Sequence, residues 1–292
     1  MTIKRFAKTC GIALATQVGP LLPTPGLRRL LWSSVGPLMD PAVLPKALTL
    51  RPLKRISVRV PCDPYIYVHR NSFWCGVFYE EEVESYLLRE ISPGDTVIDV
   101  GTNVGHVALP GAALGAQVYA FEPNPELAAL VEKCARDQGL KVQVFPCALS
   151  DVSGSFALRM EPDHTGGATL RDVGASFARV VQCQVEIGDE VMPALRGCVL
   201  LKIDVEGLEI NVLRGLRKTL PRIAHAIIEL SPDFVGASGV DELLAFMQQS
   251  GFTAHVLCED GSVGARLERV PSQVNAVFRR IAGAEGFPTR ST

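Results

Sequence analysis

From Gly94 onward, apolar strand-like runs alternate with amphipathic helical runs, and this alternation restricts the chain to one fold class. TVIDVG (96–101), QVYAFE (117–122), KVQVFPCALSD (141–151), VLLKIDVEG (199–207) and HAIIEL (225–230) read as five strands. Between and after them, NVGHVALPGAALG, PELAALVEKCARDQG, LEINVLRGLRKTL and VDELLAFMQQSG have helical spacing. Pro110 kinks or limits the first of these helices, and Gly139 ends the second. TAHVLCED and QVNAVFRR read as a closing pair of strands. Strands this apolar must be covered on both faces, so the expected fold is α/β with a doubly wound, mainly parallel sheet. At 292 residues, 47% of them hydrophobic, the chain is long enough for one large core with an appendage.

The expected domain spans 78–292, behind a small irregular N-terminal cap at 1–77. Pro20, Pro23, Pro25, Pro37, Pro41, Pro45 and Pro52 allow only short helices there. RISVRV and YIYVHR alternate like a β-hairpin with PCDP as the turn. FYEEEVESYLLREI then places Val83, Tyr86, Leu87 and Ile91 on one helical face. Between the third and fourth strands lies a long interval in which SFALRM and VVQCQVEI read as extra strands. PDHTGGATL is the Gly-rich loop between them, a position that more often carries function than not.

Ligands in such sheets sit beyond the carboxyl ends of the strands. The first strand ends in Asp99, Gly101, Asn103 and Gly105. The dinucleotide fingerprint G-x-G-x-x-G is absent, because Gly101 is followed by T-N-V-G-H, and this disfavours NAD. Glu122 ends the second strand 21 residues beyond Gly101, where an acid accepts hydrogen bonds from both ribose hydroxyls. With no pyrophosphate to bind, a cationic single-nucleoside ligand fits, namely S-adenosylmethionine. Gly101 lets the backbone approach it, and Asp99 sits near its positive end. Asp204, at the end of a strand expected to be central, faces the same crevice, and Glu206, Glu209 and Glu229 lie nearby in the sequence pattern.

At these residues the chain resembles the FkbM-type S-adenosylmethionine-dependent methyltransferases. The resemblance runs from about Phe78 to Glu229 through DVGTNVGH, VYAFEPNP, CALSD, GGATL, VEIGDEV and LLKIDVEGLEINVLRGL. His106 departs from the family's usual Tyr or Phe, and VEIGDEV departs from its Thr-Leu-Asp while retaining Asp189. The resemblance implies a class I, Rossmann-like methyltransferase fold with a seven-stranded sheet, and transfer to a hydroxyl of a sugar, glycolipid or secondary metabolite. The expected cofactor-binding residues are Asp99, Gly101, Asn103, Gly105, Glu122, Asn124 and Asp204. Asp204, Glu206 and His164 are the expected catalytic residues. No metal site is expected. Transfer to nitrogen or carbon of a small molecule, and a non-catalytic binding domain, are the alternatives.

Methyl transfer from a sulfonium is an in-line displacement that rewards alignment and a base for the acceptor proton. Asp204 either takes that proton or holds the methionine amine, leaving Glu206 or His164 as base. A formal net charge of -2 argues against a nucleic-acid partner, so the expected partner is a small molecule or a glycan. Eight singly scattered cysteines without C-x-x-C argue against zinc and for a reducing cytoplasm. The charged start and apolar middle of the N-terminus are interrupted by Gln17, Gly19 and Pro20, so a short helix is expected there rather than a signal peptide. Arg28, Arg29, Leu30, Leu31 and Trp32 offer peripheral membrane contact.

Overall fold

A computed structural model describes residues 56–61, 80–160, 170 and 179–281, together with the backbone of 47–50. The strands are β1 (Ala47–Leu50), β2 (Val58–Pro61), β3 (Thr96–Val100), β4 (Gln117–Phe121), β5 (Val142–Phe145), β6 (Cys147–Ser150), β7 (Gly154–Met160), β8 (Arg179–Ile187), β9 (Val199–Ile203), β10 (His225–Leu230), β11 (Phe252–Leu257), β12 (Val263–Arg266) and β13 (Val274–Arg280). The helices are α1 (Glu81–Glu90), α2 (Ala108–Ala113), α3 (Pro125–Arg136), α4 (Gly188–Val191), α5 (Glu209–Gly215) and α6 (Pro232–Gln249).

The central sheet has the order β12-β11-β13-β10-β9-β3-β4-β5. Its five strands from β10 to β5 are parallel, and β13, β11 and β12 join by antiparallel pairing. Helices cover both faces. One face packs Ile98, Val100, Leu201, Ile203, Ile228 and Phe278 against Val212, Leu213, Val240, Leu243 and Met247 of α5 and α6. The other packs Val97, Val118, Leu200, Ile227 and Val277 against Val83, Tyr86 and Leu87 of α1 and Ala108 and Ala112 of α2. This is the expected doubly wound class I fold, with β12 as an eighth strand at the antiparallel edge where seven strands were expected.

One local expectation changes, one is borne out with its pairing now given, and one falls outside the described residues. KVQVFPCALSD is two strands, because Pro146, lacking an N–H, breaks the ladder: β5 stays in the central sheet and β6 pairs with β8. β8 also pairs antiparallel with β7, so SFALRM and VVQCQVEI form a separate three-stranded sheet with β6. The N-terminal strand β2 pairs with β1, and YIYVHR, its expected hairpin partner, lies outside the described residues. Val58 and Val60 of β2 are buried against Val104, Leu109, Val131 and Ala135, so this strand packs directly on the α/β domain. The closing pair is as expected: β11 lies antiparallel to β13.

Candidate active site

The turn after β3 is stitched to both neighbouring strand ends. Gly101 N and Thr102 N donate to Phe121 O, and Asp204 N donates to Val100 O. Gly101 adopts φ 82, and a Cβ there would lie 1.9 Å from the Asp204 carbonyl oxygen. The close approach that requires this glycine is therefore to the chain itself, at the end of β9, a reason different from the expected approach to a ligand. Asn103 is left-handed at φ 50 and Gly105 at φ 85. Pro110 falls within the first turn of α2, and the helix begins only at Ala108, so residues 101–107 form an irregular loop.

Two buried acids organise this loop. Asp99 is 2% exposed and accepts a 2.5 Å bond from Thr102 Oγ1. Burial pushes its carboxyl up to about 6, against the opposing pull of the Thr102 bond and the Lys202 charge. Glu122 is 5% exposed. Its Oε2 accepts from Asn103 N at 2.8 Å and its Oε1 from Asn124 N at 2.9 Å. Burial pushes it up to about 7 despite both bonds. Asn124 is the N-cap of α3: its Oδ1 accepts from Glu126 N, and its Nδ2 donates to Met160 Sδ. Asn103 Oδ1 is buried and has no hydrogen-bond partner among the described residues.

The register gathers a polar row on the α1 face of the sheet. Asp99 pairs with Lys202, Lys202 with Ile227, and Glu229 with Asn275. Side chains alternate along a strand, so Asp99, Lys202, Asp204, Glu229 and Asn275 share one face. Lys202 is 1% exposed, and its Nζ donates to Asp204 Oδ2 and to Asn275 Oδ1, both at 3.2 Å. Asn275 Nδ2 in turn donates to Glu80 Oε1 at 2.6 Å. Carboxylate oxygens of Glu80, Asp204 and Glu229 all lie within 4.8 Å of one another, with the Lys202 ammonium as their counter-charge.

Beyond Asp204 the chain turns sharply, with Glu206 left-handed at φ 55 and Gly207 at φ 95. Glu209, buried at the start of α5, accepts from Gly207 N at 3.0 Å and from Val205 N at 3.4 Å, clasping the backbone on either side of Glu206. Burial, reinforced by the charges of Asp204, Glu229 and Glu209, pushes Glu206 up to about 9. Burial and the Asp204 charge push Glu229 up to about 8.

Asp99, Glu122, Asp204 and Glu229 thus stand at the carboxyl ends of β3, β4, β9 and β10, the positions assigned from sequence. His164 and the loop around it lie outside the described residues. Three participants were not anticipated. Glu80 and Asn275 come from distant segments with no pattern of their own. Lys202 had a signal: it is the one charged residue within the otherwise apolar run VLLKI.

A family model, the methyltransferase FkbM domain, matches residues 99–254. The 31-O-demethyl-FK506 methyltransferase FkbM of Streptomyces tacrolimicus is 31% identical over 231 residues, covering 66% of this chain and 84% of that protein. The chain belongs to the FkbM methyltransferase family. As an FkbM-family protein it is an S-adenosylmethionine-dependent methyltransferase. Another relative, the hexuronic acid methyltransferase AglP of Haloferax volcanii, is 30% identical over 156 residues, covering 52% of this chain and 62% of that one. Among solved structures, the S-adenosylmethionine-bound magnesium protoporphyrin IX methyltransferase (ChlM) of Synechocystis overlaps 69% of this chain and 77% of that one, at 13% identity and a TM-score of 0.42.

The residues present fit the family's cofactor. S-adenosylmethionine is cationic and carries ribose hydroxyls as donors. The FkbM-family site offers buried carboxylates raised above their ordinary range and an acceptor, Asn103 Oδ1, with no donor among the described residues.

Proposed function

We propose that this chain is an O-methyltransferase whose acceptor is a hydroxyl of a sugar, glycolipid or secondary metabolite. The observation that carries the site assignment is the convergence of Asp99, Glu122 and Asp204 at adjacent strand ends, joined through the turn at Gly101. In this reading Glu122 receives the ribose hydroxyls. Asp99, Gly101, Asn103 and Gly105 frame the amino-acid end, and Asn124 holds the start of α3 beside the nucleoside. S-adenosylmethionine supplies an electrophilic methyl group when bound. Asp204, with its side chain 29% exposed above buried Lys202, presents a carboxylate to that cationic end and takes the proton of the acceptor hydroxyl. Glu206 holds its own proton near neutral pH, which suits it to donate a hydrogen bond rather than to act as base. His164 is the reserve base from the Gly-rich loop.

The hydroxyl acceptor is supported by the relatives: FkbM takes 31-O-demethyl-FK506 and AglP a hexuronic acid. A near-neutral net charge of -2 favours a small molecule or glycan over nucleic acid. The domain is taken to begin at residue 78, with 1–77 as a cap whose basic and apolar Arg28–Trp32 stretch would suit contact with a lipid-linked acceptor at a membrane surface. No described helix is long and apolar enough to cross a membrane. A cytoplasmic location rests on the cysteine pattern. The test is methyl transfer from labelled cofactor to cell extract divided into glycan, lipid, small-molecule, protein and RNA fractions. Label in the glycan, lipid or small-molecule fraction is expected. Label confined to protein or RNA would overturn the acceptor assignment.

A further inference from the structure

A lysine in the middle of a central, doubly covered strand requires a reason. Lys202 lies in β9 between β3 and β10, flanked in register by Asp99 and Ile227. Burying an ammonium costs several kcal/mol, and a paired buried charge often contributes no net stability over an apolar residue of similar volume. Its neighbours Val199, Leu200, Leu201 and Ile203 show that an apolar side chain belongs in this strand. What Lys202 has, and an apolar residue would lack, is its pair of contacts to Asp204 and Asn275.

Among the described residues, the other titratable groups facing Asp204 are acids: Glu206 and Glu209 just beyond it, Glu229 on β10, Asp99 on β3 and Glu80 before α1. Lys202 supplies the positive charge that faces Asp204, Glu80 and Glu229 together. The exposure gradient runs the useful way, since Lys202 is fully buried while the Asp204 side chain is 29% exposed. The cation supports the carboxylate from beneath and leaves its open side free.

We propose that Lys202 is a positioning residue for methyl transfer: its buried ammonium fixes the Asp204 carboxylate in place, and through Asn275 steadies Glu80 beside it. The inference rests on the reading that Asp204 faces the cationic end of the cofactor. Lys202 touches neither cofactor nor acceptor and acts only through its neighbours.

The experiment is calorimetric titration of S-adenosylmethionine into wild-type protein, Lys202→Met, Asp204→Asn and the double variant. Lys202→Met removes the contact that fixes Asp204, so it should match Asp204→Asn, with affinity lower by about tenfold or more. A purely structural lysine would add its own loss to that of Asp204→Asn in the double variant, and that result, or wild-type binding by Lys202→Met, overturns the proposal. Should Lys202→Met not fold, the double variant, which leaves no unpaired charge at the pair, decides the matter against Asp204→Asn alone. Equal affinities for those two proteins support action solely through Asp204, and a further loss of about tenfold refutes it. If Asp204→Asn itself binds the cofactor as wild type does, the placement of Asp204 at the cofactor has failed, and the role of Lys202 falls with it.

Discussion

At the scale of single residues, the site separates groups that serve the fold from groups left open to a ligand. Gly101 belongs to the first kind. A Cβ there would lie 1.9 Å from the Asp204 carbonyl, and φ 82 is itself strained for any other residue. Gly101→Ala is therefore expected to destabilise the protein by roughly 2 kcal/mol or more as well as to weaken cofactor binding, readable as a lower urea midpoint at unchanged slope. Asp204 and Glu206, just beyond β9, are of the second kind. Glu206, raised to about 9, carries its proton at neutral pH and has no charge to lose. Asp204→Asn should lower single-turnover methyl transfer by roughly 10² or more, within the range of a lost general base. Glu206→Gln, which imitates a protonated carboxyl, should lower it by about tenfold at most near neutral pH. Equal losses in the two variants would show that Glu206 is ionised when it acts.

At the scale of elements, the cofactor side depends on where helices and strands end. Asn124 caps α3 with its side-chain oxygen on Glu126 N, and Pro125 follows at the first helical position. Asn124→Ala should cost about 1 kcal/mol of unfolding free energy in urea, with a smaller effect on turnover than on stability. The strand-helix alternation and the acid at each strand end were legible because periodicity and end residues are local properties. The junction at Pro146 was legible only in part. The proline was visible, but the partner that captures Cys147–Ser150 is β8, more than thirty residues away, and only tertiary pairing reveals it. Glu80 and Asn275 were illegible for the same reason, since their meeting depends on β13 inserting antiparallel beside β10. Lys202 was visible as an anomaly whose partner the register supplies: within the strand, alternation places Asp204 on its own face.

At the scale of the whole molecule, the site concentrates carboxyls whose folded values lie above their unfolded ones: Asp99 at about 6, Glu122 at about 7, Glu229 at about 8 and Glu206 at about 9. Each binds more protons folded than unfolded within its window, so its contribution is complete below the unfolded carboxylate range and is lost as pH rises through the folded value. The cofactor-free protein should therefore lose stability between about pH 5 and pH 9, seen as a falling melting temperature. A cationic cofactor opposes this by favouring the charged carboxylates, so the shift in melting temperature that it produces should be larger at the alkaline end than at the acid end. The claim underlying all of this is that the crevice at β3, β4 and β9 holds the cofactor with Glu122 on its ribose. Calorimetric titration of S-adenosylhomocysteine into wild type and Glu122→Ala tests it most directly. The account predicts one site per chain and a loss of about 10- to 150-fold in the variant, the equivalent of a charge-assisted hydrogen bond of roughly 1.5 to 3 kcal/mol. Wild-type affinity in a folded Glu122→Ala protein would contradict it.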